Sequence, residues 1–270
     1  MVHHETAYAK VNLALHVRRR REDGYHEIET LFAFVDDGDR LTFEDSAWDQ
    51  VNLGGEFARD IDNPLGNLVV KALNAIPHGD GVCIDLEKRL PVSAGLGGGS
   101  ADAGAVFRAM AQRASLPEDW RERAALLGAD VPACVASRAC IGTGTGTDLR
   151  EVDNDLAGTA CLLVNPRVPL ATGAVFKGWD GLDRGAMPGG SVRAIALAGG
   201  NDLEASAAAL CPEITEVLDA LRQTDPWLAR MSGSGATCFA LYASSAARDA
   251  AAARLRESHP GWWQMAGSLR

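Results

Sequence analysis

The sequence predicts a chain of mixed strands and helices in two domains, and three observations predict it. Strand-patterned segments at residues 5–17, 27–35, 40–44 and 51–53 precede helical patterns at 68–76, 100–114 and 118–127. A glycine-rich turn at 95–99 joins a strand-like run, 81–86, to one of those helices. The texture then changes around residues 153–158, which places a domain boundary between residues 1–153 and residues 154–270.

The chain is 270 residues long, enough for one large domain or two ordinary ones with ample core. Its composition, 47% hydrophobic and 23% charged, excludes a disordered chain. Apolar runs are too short to span a bilayer, and the first ten residues lack a signal-peptide core, so a cytoplasmic protein without a membrane partner is expected. The net charge of −10 disfavours nucleic acid as a partner but leaves room for an anionic small molecule in a locally positive pocket. The six cysteines form no CxxC pair, and no His/Cys/carboxylate cluster has metal-ligand spacing; small core residues in a reducing compartment are expected, and no metal ligands.

Taken in order, residues 5–17 alternate with period two: Ala7, Ala9, Val11, Leu13, Leu15 and Val17 share one face, and Lys10 and Asn12 share the other, about 7 Å apart. That second face is either the solvated side of an edge strand or the lining of a site. Asp23-Gly24 signals a chain reversal before Tyr25-His26 opens the next strand. Asp62-Asn63-Pro64 introduces a helix whose buried stripe is Leu68, Val69, Ala72, Leu73 and Ile76. After Lys88 and Pro91 comes the loop Gly95-Leu96-Gly97-Gly98-Gly99-Ser100. Its glycines clear the main chain for a ligand, Ser100 is placed to cap the helix, and the first-turn N–H groups with the helix dipole make an anion site. No Gly-Lys-Ser/Thr follows and no G-x-G-x-x-G is present, so neither a Walker loop nor a Rossmann fingerprint applies; on its own the loop reads equally well as a flexible turn.

Gly128 is placed to cap the helix 118–127, and Pro132, read as the first residue of the next helix, leaves Asp130 at its N-terminus. Residues 139–146 and 148–152 read as a hairpin. In the second half, 159–164 is a buried strand, Thr172 caps a short helix reaching 179, and 180–200 is a glycine-rich loop. Helices at 202–210, 212–224 and 246–257 then accompany strands at 227–231, 237–242 and 262–266. Ser232-Gly233-Ser234-Gly235 forms a second turn of small residues that a ligand can approach.

Five stretches, Ala9–Leu13, Gly24–His26, Pro91–Ala103, Gly128–Pro132 and Met231–Ala236, occur in an order and with gaps that resemble the GHMP kinase superfamily, over nearly the whole chain. The resemblance implies an α+β fold: an N-terminal domain like domain 2 of ribosomal protein S5 and a ferredoxin-like C-terminal domain. It implies ATP as phosphoryl donor, with Mg2+ carried on the nucleotide phosphates, and an alcohol as acceptor. Within the superfamily the pattern is most similar to kinases that phosphorylate the 2-hydroxyl of a cytidyl diphosphate sugar alcohol in non-mevalonate isoprenoid synthesis. By position, Lys10 and Asp130 match the catalytic pair, and Asn12 faces the substrate. Tyr25 and Phe176 match an aromatic clamp on the cytosine, and His26 matches the reader of its edge. Pro91, Gly95, Leu96, Gly97, Gly98, Gly99 and Ser100 match the phosphate loop, with Asn67 and Lys88 on the nucleotide side. Three departures stand out: Val92-Ser93-Ala94-Gly95 stands where many relatives have further glycine, Ala101 replaces a serine of many relatives, and Thr147 stands where a Glu often follows Gly144 and Gly146. A monomer or weak homodimer is expected. The rivals are a homoserine, mevalonate or sugar kinase on the same scaffold, and a ligand sensor that has lost transfer.

Overall fold

The computed structural model describes residues 2–61 and 67–270. They form two compact units: one of residues up to Lys10, Asp37–Val92 and Gly97–Ser137, the other of Val11–Asp36, Ser93–Leu96 and Arg138–Arg270. Two long strands, β1 (His3–Arg20) and β2 (His26–Ser46), run through both sets of residues.

In the first unit the C-terminal half of β2 pairs antiparallel with β4 (Gly81–Glu87), and β3 (Gln50–Gly54) adds to β4 in parallel. Four helices accompany this sheet: α1 (Leu68–Ala75), α2 (Gly98–Arg113), α3 (Trp120–Leu127) and α4 (Val131–Ala136). Alternation along β4 buries Val82, Ile84 and Leu86, and α1 buries Val69, Ala72 and Leu73 at helical spacing. Helix α2 is buried along most of its length, from Ala101 to Met110 with Arg108 half-buried between them. At Gly104 a Cβ would lie 2.6 Å from the Cys134 carbonyl carbon, so only glycine admits the neighbouring helix.

The second unit holds a four-stranded antiparallel sheet in the order β10-β7-β9-β8, formed by β7 (Ala160–Asn165), β8 (Leu228–Met231), β9 (Cys238–Tyr242) and β10 (Trp263–Ser268). Numbered within the sheet, that is 4-1-3-2, the ferredoxin-like order. Helix α8 (Glu213–Arg222) buries Ile214, Val217, Leu218 and Leu221, an i, i+3, i+4, i+7 stripe, against β8 and β9, and α9 (Ser245–Ser258) packs beside it on β7, β9 and β10. The first half of β2 pairs with β5 (Cys140–Thr143), which forms a hairpin with β6 (Asp148–Glu151). Helices α5 (Thr172–Lys177), α6 (Val192–Ala198) and α7 (Glu204–Leu210) complete the unit.

Several expectations are corrected. The segments 27–35 and 40–44 belong to one strand, because Asp36-Asp37-Gly38-Asp39 continues it instead of turning. Gly38 lies against β1, where a Cβ would fall 1.9 Å from the Ala7 carbonyl oxygen. Ser100 does not cap α2: the helix begins two residues earlier, after Gly97 in the left-handed region at φ 61°. Pro132 occupies the second position of α4, not the first. Thr172 lies within α5 and shares a hydrogen bond with Ser234 Oγ at 2.9 Å; Ala171 is the N-cap. The glycine-rich stretch 180–200 contains α6, capped by Ser191. Both faces of β1 are buried, including Lys10 and Asn12, so neither lies on a solvated edge. The proposed helix start at Asp62-Asn63-Pro64 lies outside the described residues; α1 itself is capped by Asn67.

Candidate active site

In the first unit, Lys10 enters from β1 and Asp130 from the N-terminus of α4. Their side chains meet, with Lys10 Nζ 2.9 Å from Asp130 Oδ2. The ammonium is almost wholly enclosed, whereas about a third of the carboxylate is open at 32% exposure. Asp130 occupies the N-cap position, yet its side chain makes no capping bond, so the carboxylate is turned to Lys10 instead. Gly97 passes directly over this pair: a Cβ there would lie 3.2 Å from Lys10 Cε and 3.6 Å from Asp130 Oδ2. The first-turn N–H groups of α2 follow, and helix geometry leaves them without intrahelical acceptors. A buried ammonium, an open carboxylate and a helix N-terminus therefore share one corner.

Beneath Gly98 lies a buried triad. Lys88 Nζ donates to Asp102 Oδ2 at 2.7 Å and also to Asp39 Oδ2. Asp39 further accepts the Leu90 N–H at 2.8 Å and that of Arg89, tying β2 to the stretch leading into the glycine loop. Burial by itself would lower the Lys88 pKa, but the two carboxylates outweigh it and hold it above the usual lysine value. Asp102 is pushed up to about 8, first by burial and then, against the pull of Lys88, by the nearby Asp39 carboxylate. Its Oδ1 has no hydrogen-bond partner among the described residues. Asn67 caps α1 by accepting the Val69 N–H at 2.9 Å, and its buried Nδ2 has no partner among the described residues.

In the second unit a polar chain links three sequence motifs. The Asn12 N–H donates to Ser232 Oγ at 3.2 Å, and Ser232 Oγ donates to the Gly95 carbonyl at 2.8 Å. Asn12 Nδ2 donates to Thr30 Oγ1 at 2.8 Å, which in turn donates to the Ala14 carbonyl at 2.8 Å. Gly95 accepts this approach only as glycine, since a Cβ would lie 2.2 Å from the Ser232 carbonyl oxygen. Leu96 and Pro91 are buried. The rings of His26 and Phe176 lie 5.0 Å apart at 39°, and Trp179 meets His26 edge-on at 5.8 Å and 86°. Tyr25 is 67% exposed. Burial and then the charge of Arg20 lower the His26 pKa below the usual histidine value.

Among the described residues no group of three or more His, Cys, Asp or Glu is arranged to hold a metal ion, and no helix is long and apolar enough to cross a membrane. A separate cavity of about 640 Å³ is lined by residues such as His4, Arg40, Asn52 and Glu87, and none of Lys10, Asp130, Lys88, Asn12, His26 or the glycine loop lines it. Several of its polar groups are already satisfied by one another, as in Asn52–Asp85 and His4–Thr42.

Comparison with known proteins settles the kinship. The family model for the GHMP kinases N terminal domain matches residues 67–138, and that for the GHMP kinases C terminal matches 190–261. A 4-diphosphocytidyl-2-C-methyl-D-erythritol kinase of Novosphingobium aromaticivorans is 64% identical over 266 residues, covering 98% of this chain and 92% of its own. The same-named protein of Erythrobacter litoralis is 60% identical over 270 residues, covering 98% of this chain and 99% of its own. The chain belongs to the 4-diphosphocytidyl-2-C-methyl-D-erythritol kinase family of GHMP kinases. A crystal structure of 4-(cytidine 5'-diphospho)-2C-methyl-D-erythritol kinase superimposes on this family member with a TM-score of 0.81 at 33% identity, covering 99% of each chain. A homoserine kinase from Cytophaga hutchinsonii, at 17% identity and a TM-score of 0.71 over 99% of this chain and 95% of its own, shares the fold.

For this GHMP kinase, sequence reasoning missed Asp39, Thr30 and Trp179, and gave no role to Asp102. Nothing in their local sequence marks them; each acquires meaning only through a partner 14 or more residues away, or, for Trp179, through a ring contact. The departure at Ala101 falls at a buried position of α2. Thr147 Oγ1 lies 3.3 Å from Thr145 Oγ1 at the hairpin turn.

Proposed function

We propose that Lys10 and Asp130 perform the phosphoryl transfer of an ATP-dependent kinase acting on the 2-hydroxyl of 4-diphosphocytidyl-2-C-methyl-D-erythritol, giving the 2-phosphate and ADP. The observation that carries the reading is the 2.9 Å Lys10–Asp130 pair beneath Gly97 at the head of α2. In the reaction the substrate oxygen bonds to the γ-phosphorus, the bond from that phosphorus to the β-bridging oxygen breaks, and the hydroxyl proton passes to the Asp130 carboxylate. Lys10 fixes that carboxylate and sets a positive charge beside the transferred group, where a loose transition state is stabilised mainly by placement and charge. The residues present fit a nucleotide. The main chain of Gly95, Leu96, Gly97, Gly98, Gly99 and Ser100 offers donors to its phosphates, with Pro91 ending the approach to the loop and Asn67 contributing its unpartnered amide. Lys88 acts from below by holding the loop's first helical turn. Mg2+, when bound, neutralises charge on those phosphates; its ligands come chiefly from the nucleotide and water.

Asn12, its amide turned by Thr30, contacts the substrate. Phe176 and Tyr25 grip the cytosine, and His26 reads its edge. Exposure of Tyr25 supports a ring free to move onto a base. For this reading the chain divides into residues 1–153 and 154–270. It acts as a monomer or weak homodimer in the cytoplasm, without nucleic acid or membrane. The test is Asp130→Ala: transfer is abolished while ATP still binds, measured by calorimetry beside a coupled ADP assay. Near-normal turnover in that variant would refute the role given to Asp130.

A further inference from the structure

His26 is flanked by two aromatic rings that come from one short stretch of chain, Phe176 near the end of α5 and Trp179 just beyond it. The main-chain N–H of Trp179 donates to the Phe176 carbonyl at 3.2 Å, closing the helix end. Both rings are half-buried and rest on the hydrophobic core of their unit. The Trp179 indole nitrogen is itself buried without a hydrogen-bond partner among the described residues. Packing, not a polar tether, therefore sets the indole plane. Phe176 meets the imidazole at 39° and Trp179 meets it at 86°, so the two rings block its rotation from different directions.

We propose that Trp179 is a positioning residue for nucleobase recognition: with Phe176 it holds the His26 imidazole in one ring orientation and shields it, so that His26 selects an amino-bearing pyrimidine over a carbonyl-bearing one. The inference rests on the substrate reading above and deepens it. A neutral imidazole carries one donor and one acceptor nitrogen, whereas an imidazolium carries two donors. Cytosine presents an exocyclic amino donor where uracil presents a carbonyl acceptor. A neutral His26 accepts from the amino group; a protonated one sets N–H against N–H and favours the carbonyl base. The aromatic walls act in the required direction. Burial is the main cause of the lowered His26 pKa, and Arg20 on β1, the charged group acting on it, pushes the same way; Phe176 and Trp179 carry no charge. Removing the indole admits water, so His26 protonates at higher pH and base selection weakens first on the acid side.

The test combines two readouts on the full chain. His26 is titrated by NMR in the wild type, Trp179→Ala and Trp179→Phe, without substrate. KM and kcat are then measured with the cytidyl substrate and its uridyl analogue at pH 6 and pH 8. In Trp179→Ala the His26 midpoint moves up toward the ordinary histidine value. The cytidyl KM rises about two- to tenfold, the range spanned by an aromatic pair, with kcat within about twofold. Cytidyl-over-uridyl preference falls more at pH 6 than at pH 8, and Trp179→Phe restores most of both effects. An unchanged His26 midpoint with unchanged KM in Trp179→Ala overturns the proposal. A wild type indifferent to the base refutes the substrate reading itself, and the NMR midpoint then decides separately whether Trp179 governs His26.

Discussion

Asparagine in place of Asp102 removes one titrating oxygen from the buried triad while nearly preserving its shape. Two carboxylates and one ammonium are enclosed together, and Asp39 already receives Lys88 and two backbone N–H groups. Asp102 accepts from Lys88, has a bare Oδ1 and lies beside the Asp39 carboxylate, so it is the carboxyl that keeps a proton, with its pKa pushed up to about 8 from 3.8. A folded-state pKa above the unfolded one means that the folded chain binds the extra proton across this interval. The stability contributed by Asp102 is therefore fully present below about pH 4, is lost as pH rises toward 8, and stays level above it. The slope is on the order of 1 kcal/mol per pH unit, so a few kcal/mol accrue between pH 5 and pH 7. The Asp102→Asn variant has no such slope. Urea unfolding of wild type and Asp102→Asn, followed by circular dichroism at pH 5, 6, 7 and 9, should show the wild type losing ground to the variant up to pH 8 and none beyond it. A difference independent of pH, or one that favours the wild type increasingly as pH rises, would mean that Asp102 is ionised in the fold and would refute the reasoning.

Two further changes test neighbouring parts of the account. Lys88→Met leaves Asp39 and Asp102 buried without their cation and should cost about 3–5 kcal/mol in the same unfolding assay, whereas a loss below about 1 kcal/mol would show the triad to be dispensable. Gly97→Ala forces a side chain into the left-handed region and against Lys10, so stability should fall by about 1–2 kcal/mol and the KM for ATP should rise; unchanged ATP kinetics would remove Gly97 from the nucleotide site.

Periodic elements were legible in the sequence because their burial follows a simple repeat. Residues 81–86 and 212–224 are marked in the sequence as a strand-like run and a helix, and the structure shows their buried faces; the strand order of the second unit was expected only through the family resemblance. What misled was composition without context. Asp36-Asp37-Gly38-Asp39 has the residues of a turn, yet β2 continues through it. Asp37 is neutralised by Arg89 and Asp39 by Lys88, and Gly38 is required by the closeness of β1. Glycines at 185, 189 and 190 hid the helix α6 that follows Ser191. At the site, Lys10 and Asp130 were found through motifs lying 120 residues apart, and the fold brings their side chains together. The triad could not be found that way, because positions 39, 88 and 102 carry ordinary surface residue types and only burial gives them a shared role. Trp179 likewise reads as one more apolar residue until its ring is seen edge-on to His26.

The most direct measurement is phosphoryl transfer from ATP by the purified chain, followed by phosphorus NMR, with the cytidyl diphosphate of methylerythritol, homoserine and mevalonate offered side by side. The account predicts a new phosphate monoester on the 2-hydroxyl of the cytidyl compound, with negligible product from the other two alcohols. Preferred phosphorylation of homoserine or mevalonate would contradict it.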